Sequence, residues 1–245
     1  MGSVVRSRNW KIDRINRLEI FDGDVSFKNP YYNLKADFAV YDKAKKEWNF
    51  QKNIYCLRFF DDGSTMEIKQ ADSGNYFEES KKAVLLPQEQ RLLLLSYASK
   101  DGRNNEPPAH PPQFLAETKH GGRQVSGAMS PDRNIATAAP GAEGYADGQT
   151  LRTKCGKIEA DGIKSEINFM GNFSLENDRI IAASENAFYQ NADSSFLLYG
   201  STPSVTGIKE GYDFTIIAEQ IKFFRNTGNL SVSGNVRGWI HSVKP

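Results

Sequence analysis

The chain has little of what most protein chemistry requires. Three histidines, His110, His120 and His241, are scattered along 245 residues, so neither a catalytic triad nor a histidine metal site has a scaffold. The two cysteines, Cys56 and Cys155, stand in no metal-ligand spacing and are too few for a disulfide framework. They are expected as buried thiols, with a single disulfide as the alternative. His120-Gly121-Gly122 has the form of an esterase oxyanion loop, but the G-x-S-x-G partner is missing. P-loop, dinucleotide fingerprint and calcium loop are missing too. No enzymatic activity, cofactor or metal is therefore expected.

Long apolar runs are also lacking. No window approaches the roughly 20 apolar residues of a spanning helix, and the start, MGSVVRSRNWKIDR, lacks the apolar core of a secretory signal. Met1-Gly2-Ser3 has the look of a cloning remnant, which leaves a removed signal or anchor open. Charge of one sign is scarce: 31 basic against 30 acidic residues give a formal net charge of +1. That balance offers no electrostatic footprint for nucleic acid or an anionic membrane. With 39% hydrophobic and 25% charged residues, the composition is that of a soluble globular chain of one large or two small domains.

What the sequence does contain is repetition. ADFAVY (Ala36 to Tyr41), ADSGNY (Ala71 to Tyr76), SENAFY (Ser184 to Tyr189) and AEQIKF (Ala218 to Phe223) share one spelling: a small residue, an acid next, and an aromatic at the end. Twelve and fourteen residues after the small residue stand Trp48 and Phe50, Ala83 and Leu85, Phe196 and Leu198, Leu230 and Val232. All eight are apolar, and a period of two marks a strand with one buried face. Sixteen residues after the small residue come Lys52-Asn53-Ile54, Gly200-Ser201-Thr202 and Gly234-Asn235-Val236, with Pro87-Gln88-Glu89 in the second copy. The polar stretches between read as turns. Each unit is thus strand, turn, strand, at a period of 35 residues in the first pair and 34 in the second, and such units bury their apolar face only by stacking.

Inside the motif the buried parity changes. Leu34 and Ala36 share one face, Ala39 and Tyr41 the other; Ile216 and Ala218 give way likewise to Ile221 and Phe223. A switch of face requires a bulge or bend, so Asp37 and Glu219 are expected to mark bends, with the small residue allowing close strand approach. Gly23, Gly171, Gly200 and Gly234 lie within apolar flanks and are expected at bulges more than at hairpin turns.

The two pairs of units match one another at a constant offset of 148: Asp13 on Asp161, Gly23 on Gly171, Ala39 on Ala187, Tyr41 on Tyr189. The chain reads as a duplicated cassette, residues 8–98 and 151–242. Residues 99–150 hold six of the ten prolines with no sustained period and read as a Pro/Gly-rich linker or insert. The run Leu92 to Leu95 is expected to close the first cassette.

The segments GDVSF…LKADFAVYD, GNFSL…AASENAFYQ and IIAEQIKFFRNTGNLSVSGNV resemble the OstA-like repeats of periplasmic lipopolysaccharide-transport proteins, the LptA and LptC group and the periplasmic part of LptD. The likeness covers both cassettes. It implies an all-β fold, a twisted antiparallel β-jellyroll of stacked hairpin repeats open along one side, with no catalysis. It further implies a periplasmic carrier or bridge for lipopolysaccharide on its way to the outer membrane, binding acyl chains in an apolar groove. The partners implied are lipopolysaccharide or a related lipid and other jellyrolls of that system, or a second copy, joined by edge-strand pairing. Strands near Asp13 and near Val236 to Ile240 are the expected edges. The residues expected to line the groove are Phe27, Trp48, Phe50, Phe173, Leu175, Phe196, Leu198, Leu230 and Val232. A groove and a closed core have the same period, so two other readings stay open: a structural β-repeat or surface adhesin with a filled interior, and a carbohydrate-binding β-sandwich with Tyr31, Tyr32 and Tyr55 on its face.

Overall fold

The computed structural model describes residues 3–89, 91–98, 115–117, 124–126, 151–177, 180–209, 212–225, 227 and 229–242. Every regular element among them is a β-strand. In chain order these are β1 (Val4–Arg6), β2 (Asn9–Asp13), β3 (Leu18–Lys28), β4 (Tyr32–Asp42), β5 (Glu47–Phe59), β6 (Thr65–Phe77), β7 (Lys82–Pro87), β8 (Leu93–Ala98), β9 (Leu115–Glu117), β10 (Gln124–Ser126), β11 (Leu151–Cys155), β12 (Lys157–Asp161), β13 (Glu166–Glu176), β14 (Ile180–Gln190), β15 (Ser195–Tyr199), β16 (Ser204–Lys209), β17 (Tyr212–Ile217), β18 (Gln220–Phe224), β19 (Asn229–Ser233) and β20 (Arg237–Ser242). Apart from the short antiparallel pair β9–β10, the proposed linker lies outside the described residues. No helix among the described residues is long and apolar enough to cross a membrane.

The duplication is visible strand by strand. β12, β13 and β14 begin and end 148 residues after β2, β3 and β4: 157 − 9, 176 − 28 and 190 − 42 all give 148. The first hairpins also keep one register, Asp13 facing Leu18 as Asp161 faces Glu166.

Two compact units divide the chain, one of Met1–Lys100 with Lys154–Met170, the other of Asp101–Thr153 with Gly171–Pro245. In the first, long bent strands contribute to two layers. The first half of β3 pairs β2 and its second half pairs β1. β6 divides likewise between β8, from Thr65, and β7, up to Phe77. β7 then receives β12, Ala83 facing Ala160, which is why the second cassette's opening hairpin belongs to the first unit. A stack of hairpins has no seam at which pairing must stop.

In the second unit β14 divides in the same way. Its end pairs β15, which pairs β18, which pairs β19. Its start pairs β16, which pairs β17, which pairs β20. Each unit has the jellyroll-type build of bent antiparallel hairpins, with the apolar side chains between the layers. β8 does close the first cassette, on the half of β6 that β7 leaves free.

The repeated acid sits where the layers part. Gly23 and Asp24 are two residues of β3 facing the single Asp37 of β4, with φ of 75° and 49°. Lys52 and Asn53 likewise face Asp72, at 64° and 50°. Two consecutive left-handed residues bend the strand and invert its later side chains. The acid is hydrogen-bonded to the residue sixteen on: Asn53 Nδ2, at the β5 bulge, donates to Asp37 at 2.7 Å, and at the breaks after β19 and β15 Asn235 Nδ2 donates to Glu219 at 2.6 Å and the Ser201 amide to Glu185 at 3.2 Å. Gly200 and Gly234 thus stand between strands, not at the expected bulges within them. The spacing of sixteen is thus the length of one hairpin from bend to bend. Gly234, at φ +70°, lies so close to Glu219 that a Cβ would collide with the carboxylate.

Candidate functional site

The nine residues expected to line a groove all point between the layers. In the first unit, inward positions of β3 and β5 bring the Phe27 ring to 5.0 Å from Trp48 and 5.5 Å from Phe50. The cluster continues through residues outside that set of nine: Phe21 at 5.4 Å and Tyr41 at 4.6 Å from Trp48, Tyr76 at 5.3 Å from Phe27, and Tyr32 at 5.5 Å from Tyr76. In the second unit Phe196 lies 4.7 Å from Tyr189 and 6.3 Å from Phe173. Across strands Phe196 faces Phe223, which faces Leu230, and Leu198 faces Ile221, which faces Val232. Leu175 is buried in the same unit.

All nine are 4% exposed or less. The interior is filled by its own side chains. The sequence pattern is the same for a trough and a closed core, so exposure was the quantity it could not supply.

Polar groups seal this interior. The Tyr41 hydroxyl donates to Glu78 at 2.8 Å and the Trp48 indole donates to the same carboxylate at 3.1 Å. Burial first, then the bond to Glu78, pushes the Tyr41 phenol up to about 12. Burial also pushes Tyr76 to about 12 and Tyr32 higher. Cys56 and Cys155 are free, buried thiols, each pushed up to about 12 by desolvation. They do not form the alternative disulfide.

Arg58 is the largest feature that sequence reasoning missed. It is 1% exposed and its guanidinium lies 5.0 Å from the Tyr32 ring, 5.1 Å from Phe60 and 5.7 Å from Tyr31. It donates to the carbonyls of Tyr31 at 3.2 Å, Asp161 at 3.3 Å, Gly162 at 3.1 Å, and Phe59. Beside it the Tyr32 hydroxyl donates to the Ala160 carbonyl at 3.1 Å. Arg58 therefore ties the β12–β13 turn to β5. The available signal was its parity: Cys56, Arg58 and Phe60 alternate in phase, so the cation falls on the buried face.

Tyr32 is consequently no sugar platform, because it is fully buried. Tyr31 and Tyr55 are half-buried, under Arg58 and beside Lys35 respectively. His110 and His120 lie outside the described residues. Among the described residues no cluster of three or more His, Cys, Asp or Glu could hold a metal ion.

No protein-family model matches the chain, and no curated protein matches it. Among solved structures it is similar to LptH, the LptA-homologous periplasmic component of the lipopolysaccharide transport device of Pseudomonas aeruginosa. The two chains are 8% identical over 77% of this one and 76% of the other, with a TM-score of 0.25. A superposition that loose carries no argument about the site, whose chemistry rests on the side chains themselves. In each unit those side chains form an apolar and aromatic interior; that of the first is closed by hydrogen bonds at Glu78 and held by backbone contacts to Arg58.

Proposed function

We propose that the chain is a non-catalytic carrier or bridge module for an amphiphile, one that takes acyl chains between its two β-layers. The observation that carries this reading is the apolar lining found in each unit, repeated in both cassettes and spelled in motifs resembling the OstA-like repeats. An acyl chain removing several hundred Å² of apolar surface from water gains about 25 cal/mol per Å², enough to offset ordering and association costs. Because the lining is closed, part of that gain separates the layers first. Affinity then depends on how easily they part.

The same resemblance supports a periplasmic module that handles lipopolysaccharide or a related lipid beside other jellyrolls of that system. The edge strand β2 suits such a junction. It ends the pairing run beyond β3 and leaves Trp10 and Ile12 60% and 44% exposed, and an open edge is a template for a further strand. β20, on β17, is the corresponding expected edge in the second unit.

Solvent extraction and mass spectrometry of the purified protein test the reading. Stoichiometric glycolipid or phospholipid is the expected result. Absence of any co-purifying lipid, together with no uptake of lipid A from micelles, would refute it. The full burial of the nine lining residues favours the second reading, a structural β-repeat with a filled core, and that outcome would establish it.

A further inference from the structure

In the first unit β3, β4, β5 and β6 run from one layer to the other through the bend, so the layers separate only from the ends away from it. The Glu78 bonds do not join the layers there, because Tyr41 and Trp48 face one another across β4 and β5 within one layer. A different set of groups does. Tyr32 and Arg58 are a cross-strand pair in the other halves of β4 and β5, while β12 joins the opposite layer through β7 and the end of β6. The bonds from Arg58 to the Asp161 and Gly162 carbonyls therefore cross from layer to layer. So do those from the Tyr32 hydroxyl to the Ala160 carbonyl and, at 3.4 Å, to that of Lys81, and the bond from the Ser165 hydroxyl to Asp61, at 3.1 Å. All of these residues belong to the first unit.

The duplication supplies an internal control. In the matching turn of β2–β3, 148 residues earlier, Arg14 and Arg17 stand exposed where Gly162 and Ser165 are buried. The clasp is thus an addition to the repeated hairpin and not a part of it. The clasped hairpin also covers the interior. Ile158 faces Leu85 and Phe169, and Ala160 faces Ala83 and Ile167; the four hairpin residues Ile158, Ala160, Ile167 and Phe169 are 2% exposed or less.

We infer that the β12–β13 hairpin is the door of the first unit, and that acyl chains enter where its turn comes away from Arg58 and Tyr32. The chemistry of the clasp suits release. Apart from Asp61, its acceptors are main-chain carbonyls at 3.1 Å or more. Arg58 has no carboxylate partner among the described residues; the Asp161 carboxylate accepts from the Ile163 and Lys164 amides. The Arg58 Nε is buried without a hydrogen bond, and a buried cation without a counter-charge regains hydration when it reaches water. Opening therefore exchanges bonds to carbonyls for bonds to water where the seam buries a charge. The aromatic faces of Tyr31, Tyr32 and Phe60 hold the guanidinium in the closed state and keep the door shut without cargo.

A door presupposes the carrier reading, and the test separates the two. In the full chain, Asp61→Cys and Ser165→Cys are bridged across the seam by a short bis-methanethiosulfonate and freed again with dithiothreitol. Uptake of a dibrominated stearic acid is followed by quenching of Trp48 in a Trp10→Phe, Trp239→Phe background; bromine quenches an indole only near contact, so the first unit reports. The bridge should slow uptake about tenfold or more, and dithiothreitol should restore it. The same bridge between Lys46→Cys and Glu79→Cys, whose native side chains bond one another within one layer, should leave uptake unchanged. Tyr32→Phe, which deletes one bond across the seam and keeps the ring, should speed uptake about fivefold. Circular dichroism and the unfolding midpoint check that each variant is folded; Tyr32→Phe decides if the seam cysteine pair is not. Uptake that the seam bridge leaves unchanged, that the control bridge slows as much, or that Tyr32→Phe does not speed overturns the door and leaves the carrier reading standing. No uptake by the unbridged parent overturns both.

Discussion

Replacing Phe196 by alanine tests the closed interior and its proposed use together. The ring is fully buried, packs 4.7 Å from Tyr189 and 6.3 Å from Phe173, and faces Phe223 across the strands. Removing it loses the transfer free energy of the ring and leaves a cavity between layers that hydrogen-bonded strands can only partly collapse. The expected cost is about 3–5 kcal/mol, a large fraction of the roughly 5–15 kcal/mol that holds a domain together. Urea unfolding followed by tryptophan fluorescence would measure it. The same deletion removes material that an acyl chain must displace. If lipid enters between the layers, a fluorescent fatty-acid probe should bind Phe196→Ala more tightly than the parent, because the free protein gives up less packing on opening. A stability loss under about 1 kcal/mol would show that the ring is not buried in solution. Destabilisation as large as expected with no effect on probe binding would mean that lipid, if bound, lies elsewhere.

Arg58→Met should lower unfolding stability by about 2–4 kcal/mol, since the side chain's volume is kept but its bonds to the Asp161 and Gly162 carbonyls are lost; urea midpoints would read this, and an unchanged midpoint would remove Arg58 as a tie between β5 and the β12 turn. Gly234→Ala should cost at least about 1–2 kcal/mol, combining the left-handed backbone with the collision at Glu219; Glu219→Ala in the same chain should recover part of it, and a full cost without recovery would exclude the collision. Cys56 and Cys155 should react with a thiol reagent at pH 8 only after denaturant is added, because both titrate near 12 in the fold. Stability should be pH-independent with respect to these groups up to about 9 and fall between 9 and 12. The unfolded thiols and phenols lose protons near 9.0 and 10.0, while Cys56, Cys155, Tyr41 and Tyr76 hold theirs to about 12, so alkali favours the unfolded state. Equal urea midpoints at pH 8 and pH 11 would contradict this.

The sequence by itself determined the elements and their order. The strand–turn–strand units, the duplication at an offset of 148 and the bends at Asp37 and Glu219 were legible because each is a local or periodic property. A strand's side chains alternate whatever it packs against, and a reversal of that alternation has no other cheap cause than a bulge. The sixteen-residue spacing was legible as a number but not as a contact. Only the pairing of β4 with β5, and of β18 with its neighbour, shows that the acid holds the next bend of the chain.

Tertiary structure alone decided what depends on two distant segments meeting. Phe27, Trp48 and Phe196 could line a trough or fill a core, because alternation records which face is turned inward and not how far away the opposite layer stands. Their exposure of 4% or less is set by the distance between layers, to which no short stretch of sequence refers. The partners of Arg58 are not legible in the sequence, since they are carbonyls of residues 161 and 162, and carbonyls are common to every residue. Tyr32 and Arg58 became neighbours only when register paired β4 with β5. Hydrogen-bond register joins residues that are remote in the chain, and that is why this pair and the hairpin it holds meet only in the folded molecule.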